Sequence, residues 1–219
     1  MSDHGLSALQ RETLRVLAAV QPPWTLTGGG ALAGFHLLHR ATRDLDLFWH
    51  GRSALTTEGD ECRALLAAAG MQVEVLQRSP AFQRLRVSRG GDVVVVDLVA
   101  EPVANAHAPV TVRIGDRSIQ LDAPAEILAN KLGCLLHRAE LRDLVDIRAL
   151  LATGLDLGDA LTVAGRKDGG FSPLMVAHLL DGFPLERQAT QLGLGEPQRR
   201  DLDAFRRELA VRIAAAARP

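Results

Sequence analysis

The sequence predicts an α+β fold, a mixed β-sheet flanked by helices and followed by a helical C-terminal region. Three observations carry this expectation. Residues Trp24 to Trp49, WTLTGGGALAGFHLLHRATRDLDLFW, read as a short apolar strand, a glycine hinge, one helix and a second strand. Between residues 72 and 121, alternating or β-branched runs are separated by Gly90-Gly91 and Gly115-Asp116, two-residue turns of the kind that close hairpins. From Asp122 onward only helical spacing recurs. Hairpin strands beside a strand-helix-strand unit make a mixed sheet and not a purely parallel one. A soft boundary near Asp122 gives two domains, residues 1–121 and residues 122–219.

The elements follow in order. Leu6, Leu9, Leu14, Val16, Leu17 and Val20 recur at a mostly helical spacing, with Ser7 as a cap and Pro22-Pro23 as a stop. Trp24 to Thr27 is the first strand. Glu58 to Ala69 is an amphipathic helix stopped at Gly70. Strands are expected at Gln72 to Gln77, Phe82 to Ser88, Asp92 to Val99, Val110 to Ile114 and Ser118 to Leu121. Asp122 caps a helix that Pro124 opens and that runs to His137. Further helices are expected at Glu140 to Thr153, Ser172 to Leu180 and Asp201 to Ala217, and Gly165 to Gly170 reads as a mobile loop.

Composition narrows the function classes. Of 219 residues, 47% are hydrophobic and 23% charged, so a sizeable core can be built. The formal net charge is −1, so no global field draws the chain onto nucleic acid and any RNA contact must be local. The C-terminal arginines Arg199, Arg200, Arg206, Arg207 and Arg212 are interleaved with Asp201, Asp203 and Glu208, which suits a solvated helix face more than an RNA grip. Aromatic residues are 4% and tyrosine is absent, which leaves no base-stacking platform. Cys62 and Cys134 have no paired spacing, so a reducing cytoplasm is the expected compartment, and no apolar run approaches a membrane span.

The chemistry centres on glycines and aspartates. Gly28, Gly29 and Gly30 allow a tight turn, and the N–H groups of the helix beyond them make a seat for phosphate. Asp44 and Asp46 alternate with Leu45 and Leu47, so on a strand both carboxylates share one face. Two adjacent carboxylates need a cation or a proton between them, and oxygen-only ligands suit magnesium, with manganese as the alternative ion. A phosphate seat beside a magnesium site implies nucleotide chemistry. In VVVVDLV, Val93, Val95 and Asp97 share a face, and a carboxylate on a largely apolar strand must be accounted for. It is either a third site carboxylate or a residue near a strand end, solvated or paired with an arginine. Arg43, like Arg40, precedes the Asp-x-Asp strand and could neutralise it or touch phosphate.

GGGALAGFHLLHRATRDLDLFW resembles the nucleotide-binding core of the AbiEii/AbiGii toxin family, a branch of the polymerase-beta-like nucleotidyltransferases. Relatives usually carry a hydroxyl residue where this chain has Gly30. The spacing from Lys131 through Arg138 to Asp143 and Asp146 is similar to the family's third conserved block, with Arg142 before the first aspartate. The resemblance implies a nucleotidyltransferase-type sheet, with residues 1–121 catalytic and residues 122–219 completing the nucleotide site. It implies that Asp44, Asp46 and Asp97 hold the metals, that Asp97 helps deprotonate the acceptor hydroxyl, and that Lys131 contacts nucleotide phosphates. Arg138, Asp143 and Asp146 would support the site. It further implies transfer of a nucleoside monophosphate from an NTP, an RNA acceptor such as the tRNA acceptor end, and a separately encoded antitoxin.

Read without that resemblance, the same residues leave alternatives. Lys131 and Lys167 are the only lysines, and Lys131 lies in a helix apolar around much of its girth. As a compact charge it suits a triphosphate, or it joins two helices by ion pairs in which Arg138, Asp143 and Asp146 take part. His36 and His39, three apart, are too few for a zinc site. GGGALA also satisfies the dinucleotide pattern, but Asp44 and Asp46 precede the apolar LFW where a ribose-binding acid would end its strand. The competing readings are a catalytically silent nucleotide-binding module and, less well supported, a dinucleotide-binding oxidoreductase. No GxSxG elbow or Walker loop offers a hydrolase.

Overall fold

A computed structural model describes residues 5–138 and 140–217. The chain forms two compact units, residues 1–123 and residues 124–219.

The first unit is built on helix α1 (Ala8–Leu17), strand β1 (Thr25–Thr27), helix α2 (Gly28–Ala31), β2 (Asp44–His50), α3 (Glu58–Ala68), β3 (Gln72–Arg78), β4 (Phe82–Arg89), β5 (Asp92–Glu101), β6 (Val110–Ile114) and β7 (Arg117–Leu121). The seven strands form one sheet in the order β3-β4-β5-β2-β1-β7-β6. The β2–β5 and β1–β7 pairs are parallel and the other pairs antiparallel, which is the mixed α+β sheet expected from the hairpins. Both two-residue turns hold, with Gly90, Gly91 and Gly115 at positive φ where other residues would be strained.

Alternation divides the sheet into an apolar and a polar face. Leu45, Leu47, Leu85, Val96, Leu98, Leu26 and Leu121 are buried, and register sets them side by side, Leu85 by Val96 by Leu45 and Leu98 by Leu47 by Leu26 by Leu121. Helix α1 packs against β5, β6, β7 and α3 through its buried Leu9, Leu14 and Leu17. Ser7 caps α1 in a reciprocal box with Gln10, as its position predicts. Gln10 also donates through Nε2 to the carbonyl of Thr42, tying the cap to the segment that enters β2.

Two expectations in this unit are corrected. The glycines are not a hinge ahead of a helix, since α2 begins at Gly28 itself, directly after β1, and continues as a π-helical turn over Leu32–His36. This helix ends at His36, and Leu38 takes a left-handed φ of 51°, so His36 and His39 share no helix face. His36 instead places Nε2 2.9 Å from the carbonyl oxygen of Asp122.

The second unit is helical, with α4 (Pro124–His137), α5 (Leu141–Leu151), α6 (Leu157–Lys167), α7 (Pro173–Asp181), α8 (Leu185–Gln191) and α9 (Glu196–Ala216). Helices α6 and α8 were not expected. Helix α6 buries Leu157, Ala160, Leu161, Val163 and Ala164 and is capped by Asp156, but Gly158 and Gly165 stand inside it where they read as breakers, and α8 has only seven residues. Residues Gly165, Arg166 and Lys167 belong to α6 and not to a mobile loop, because Lys167 reaches back to buried Glu126 and to Asn130 Oδ1 at 2.8 Å. Helix α9 starts at Glu196, five residues before the expected Asp201, behind Gly195 and Pro197. Its arginines are held within this unit: Arg206 binds the carbonyls of Leu180 and Asp181, Arg207 pairs with Asp203 at 2.6 Å, and Arg200 with Glu196 at 2.9 Å. The Arg207 and Arg200 pairs fit the solvated face, whereas Arg206 departs from it and is buried against the end of α7.

Candidate active site

Strand β2 lies near the middle of the sheet, antiparallel to β1 and parallel to β5. Register sets Asp46 opposite both Thr27 and Asp97, and Asp97 opposite Arg84. Directly opposed residues share a face, so Arg84, Asp97, Asp46 and Thr27 form a polar row across four strands. Asp44 stands two residues along the same face, opposite Val95. The three carboxylates are therefore gathered on one face, as the sequence suggested for the first two and left open for the third. Asp97 lies inside its strand, four residues before the end of β5, and is buried.

Each carboxylate has its own support. Arg84 grips Asp97 with both arms, Nε to Oδ1 at 2.8 Å and Nη2 to Oδ2 at 2.6 Å. The hydrogen bonds that Arg84 donates to Asp97 hold its guanidinium above its ordinary pKa, with the Asp97, Asp44 and Asp46 charges adding to them against the cost of burial. The Thr42 hydroxyl donates to Asp44 Oδ1 at 3.0 Å, while the Thr42 carbonyl is held by Gln10. Asp46 lies against the glycine turn: a Cβ at Gly28 would stand 2.5 Å from Asp46 Oδ2.

The glycines have three different tasks. Gly28 sits at a φ of 60° and yields room to Asp46. At Gly29 a Cβ would come within 2.9 Å of Arg40 Nη2 and 3.0 Å of Thr42 Oγ1. At Gly30 it would meet Leu26 and Leu45 in the core, so a hydroxyl residue there would point away from the carboxylates. Thr27 makes no side-chain cap, and the first-turn N–H groups of α2 lack intrahelical partners. Arg43 is exposed and makes no hydrogen bond or ion pair among the described residues. Gly28→Ala is expected to displace the Asp46 carboxylate and to add about 1–2 kcal/mol of backbone strain. Isothermal titration with an NTP and a divalent cation should show weakened joint binding, while the variant still melts cooperatively.

Arg84 and Thr42 were not among the expected site residues. For Arg84 the signal was present in the sequence: a two-residue Gly90-Gly91 turn pairs Arg89 with Asp92, and counting back along both strands brings Arg84 opposite Asp97. Thr42 precedes its strand and carries no comparable mark.

Asp122 does not show the capping role expected of it. Its side chain is fully buried in the first unit, where Oδ1 accepts from Asn105 Nδ2 at 2.7 Å and lies 3.4 Å from His50 Nε2. Burial alone would raise its pKa, but His50, Thr27 and Asn105 outweigh that and hold it below the ordinary value. A depressed carboxyl contributes stability that is complete above its unfolded value of about 4 and is lost as pH falls through the folded one. Urea midpoints of wild type and Asp122→Asn should therefore lie furthest apart at neutral pH and converge below about pH 4. A gap that persists into acid would remove Asp122 as the titrating group.

In the second unit Lys131 is only 6% exposed. Its ammonium does not emerge from α4 but enters an ion-pair hub, with Nζ 2.6 Å from Asp143 Oδ1 and 3.0 Å from Asp146 Oδ2 on α5. Arg138 closes the other side of Asp143, Nε to Oδ2 at 2.9 Å. Burial would lower the Lys131 pKa, but the Asp146 and Asp143 charges raise it above its ordinary value. Of the readings open for these four residues, the ion-paired one is what the second unit displays.

Comparison with known proteins identifies the family and the fold. The family model described as "Nucleotidyl transferase AbiEii toxin, Type IV TA system" matches residues 12–216. The chain belongs to the AbiEii nucleotidyltransferase toxin family. Solved structures with this fold include the nucleotidyltransferase toxin MenT4 from Mycobacterium tuberculosis, at a TM-score of 0.63 and 16% identity over 95% of this chain and 85% of that one. JHP933 from Helicobacter pylori gives 0.51 and 18%, over 97% and 94%. No curated protein matches the chain significantly. The family that the sequence resembles is thus the family the chain belongs to, and membership brings an NTP substrate and, through the type IV system, an antitoxin. Among the described residues no helix is long and apolar enough to cross a membrane.

AbiEii membership also implies a divalent cation, and the residues fit one. Among the described residues no three His, Cys, Asp or Glu side chains form a ready-made metal cage. Magnesium does not require one, since it is commonly held by one or two carboxylates together with substrate phosphates. Asp44 and Asp46 offer hard oxygen ligands on one face, and the bare Gly28 leaves room for the Asp46 carboxylate against the glycine turn.

Proposed function

We propose that this AbiEii protein transfers a nucleoside monophosphate from an NTP to an acceptor hydroxyl, releasing pyrophosphate, with magnesium or manganese held by Asp44, Asp46 and Asp97. The observation that carries the reading is the approach of Asp46 to Gly28, which brings a metal-binding carboxylate to the backbone donors that would receive the triphosphate. When bound, the cation would neutralise charge on the triphosphate and on the departing pyrophosphate. Gly28, Gly29 and Gly30 offer backbone N–H groups to phosphate oxygens, with Arg40 beside Gly29 and the exposed Arg43 as further cationic donors. Thr42 fixes the direction of the Asp44 carboxylate. Asp97 takes the proton of the acceptor hydroxyl, a role implied by the family resemblance. Lys131 as a phosphate contact, with Arg138, Asp143 and Asp146 in support, likewise rests on that resemblance. RNA, the tRNA acceptor end in particular, is the acceptor class we infer, and the cytoplasm the compartment.

The test is transfer of label from each of the four α-labelled NTPs to total RNA and total protein with magnesium, comparing wild type with Asp44→Ala. Label entering one RNA class with wild type alone is expected. Label in protein would replace the acceptor, and binding of NTP without label in either pool would favour the silent module.

A further inference from the structure

The carboxylate row contains its own cation. Arg84 stands at the end of the row, paired across β4 and β5 with Asp97, which is paired in turn with Asp46. Its guanidinium takes both oxygens of Asp97. Yet the Arg84 side chain is 45% exposed, while Asp97 beneath it is buried, so the arginine lies over the carboxylate from the solvent side. The Phe82 ring lies 5.5 Å from the guanidinium carbon. A buried carboxylate beside two others needs a positive partner whether or not a divalent ion is present. At Asp97 Arg84 supplies one.

We infer that Arg84 is an internal counter-cation that competes with the divalent ion for Asp97. It is a positioning residue: it holds Asp97 in place and neutralised until a cation binds, and then gives up the carboxylate. The geometry permits the exchange, because the guanidinium is on a long side chain open to solvent. The inference rests on the proposed metal role of Asp44, Asp46 and Asp97. It goes beyond that role by making the third ligand available only against an arginine, so that Asp44 and Asp46 take up the ion first.

The measurement is Mn2+ binding at fixed pH, by electron paramagnetic resonance or calorimetry, for the full-length wild type, Arg84→Gln and Arg84→Lys, with thermal melts with and without Mn2+. Arg84→Gln should bind Mn2+ about tenfold more tightly, a change of about 1.4 kcal/mol. Its metal-free melting temperature should fall, and saturating Mn2+ should raise that temperature by more than it does in wild type. Arg84→Lys keeps the charge without the two-armed grip and should lie between the two, and it carries the test alone if Arg84→Gln does not fold. In an Asp97→Asn background the Arg84 substitution should no longer change Mn2+ affinity. Affinity unchanged or weakened in both Arg84 variants, with wild type binding Mn2+ normally, overturns the competition and leaves the metal site standing. No Mn2+ binding by any form overturns both.

Discussion

Asp46→Asn should reduce nucleotide transfer by about 10²- to 10³-fold or more, the scale on which preorganised stabilisation of developing charge is lost when one group is removed. The fold should survive it. Asparagine is close to isosteric with aspartate, fits beside Gly28 in the same rotamer, and removes one of the negative charges gathered on this face of the sheet. The melting temperature of the metal-free variant is therefore expected to stay level or to rise. Loss of activity with an intact melt is the combination that separates a site residue from a structural one, because a core substitution lowers both. Transfer at the wild-type rate would remove Asp46 from the mechanism, and a collapsed melt would make it part of the scaffold.

The opposite pattern is expected at Asp143. Asp143→Ala strips partners from Lys131 and Arg138 at once and leaves the buried Lys131 ammonium with Asp146 alone. Breaking a buried ion pair by removing one partner costs about 3–5 kcal/mol, most of it from the charge left behind. Urea unfolding followed by far-ultraviolet circular dichroism, where the helices of the second unit dominate, should show the loss. Replacing both ends, as in Lys131→Met with Asp143→Leu, should recover much of it, because no unpaired charge then remains buried. If Asp143→Ala unfolds at the wild-type midpoint while NTP affinity drops, the hub serves the nucleotide and not the helices.

These two aspartates show where the sequence was legible and where it was not. Asp44 and Asp46 could be read because strand alternation is strictly local: two residues apart on a strand means one face, whatever the rest of the chain does. The Ser7 cap and the two hairpin turns are local in the same sense. Asp97 needed a neighbour, and that neighbour was recoverable only through the hairpin register. The contacts of Lys131 were harder, since its solitary charge in an apolar helix reads equally as an arm toward a ligand or as a buried partner of the next helix. Only tertiary packing chooses between these. Helix α6 was missed because Gly158 and Gly165 read as helix breakers at its two ends although Leu157, Ala160, Leu161 and Ala164 keep helical spacing, and the helix after the glycines was read too long because His39 keeps a helical spacing from His36 beyond the point where Leu38 turns the backbone.

The Gly90-Gly91 turn bears on how this family member could diverge. Strand pairing counts outward from that turn, so one residue inserted into it or deleted from it would shift β4 against β5 by a single step and exchange the two faces of β4. Leu85 or Gln83 would then stand where Arg84 meets Asp97, and Arg84 would be directed at the layer now filled by Leu85 and Val87. Length at this turn is thus tied to the chemistry at Asp97, six residues beyond Gly91 on the polar face of β5. Among related chains, the acceptor could change through the surface while the residue count of this small loop stayed fixed.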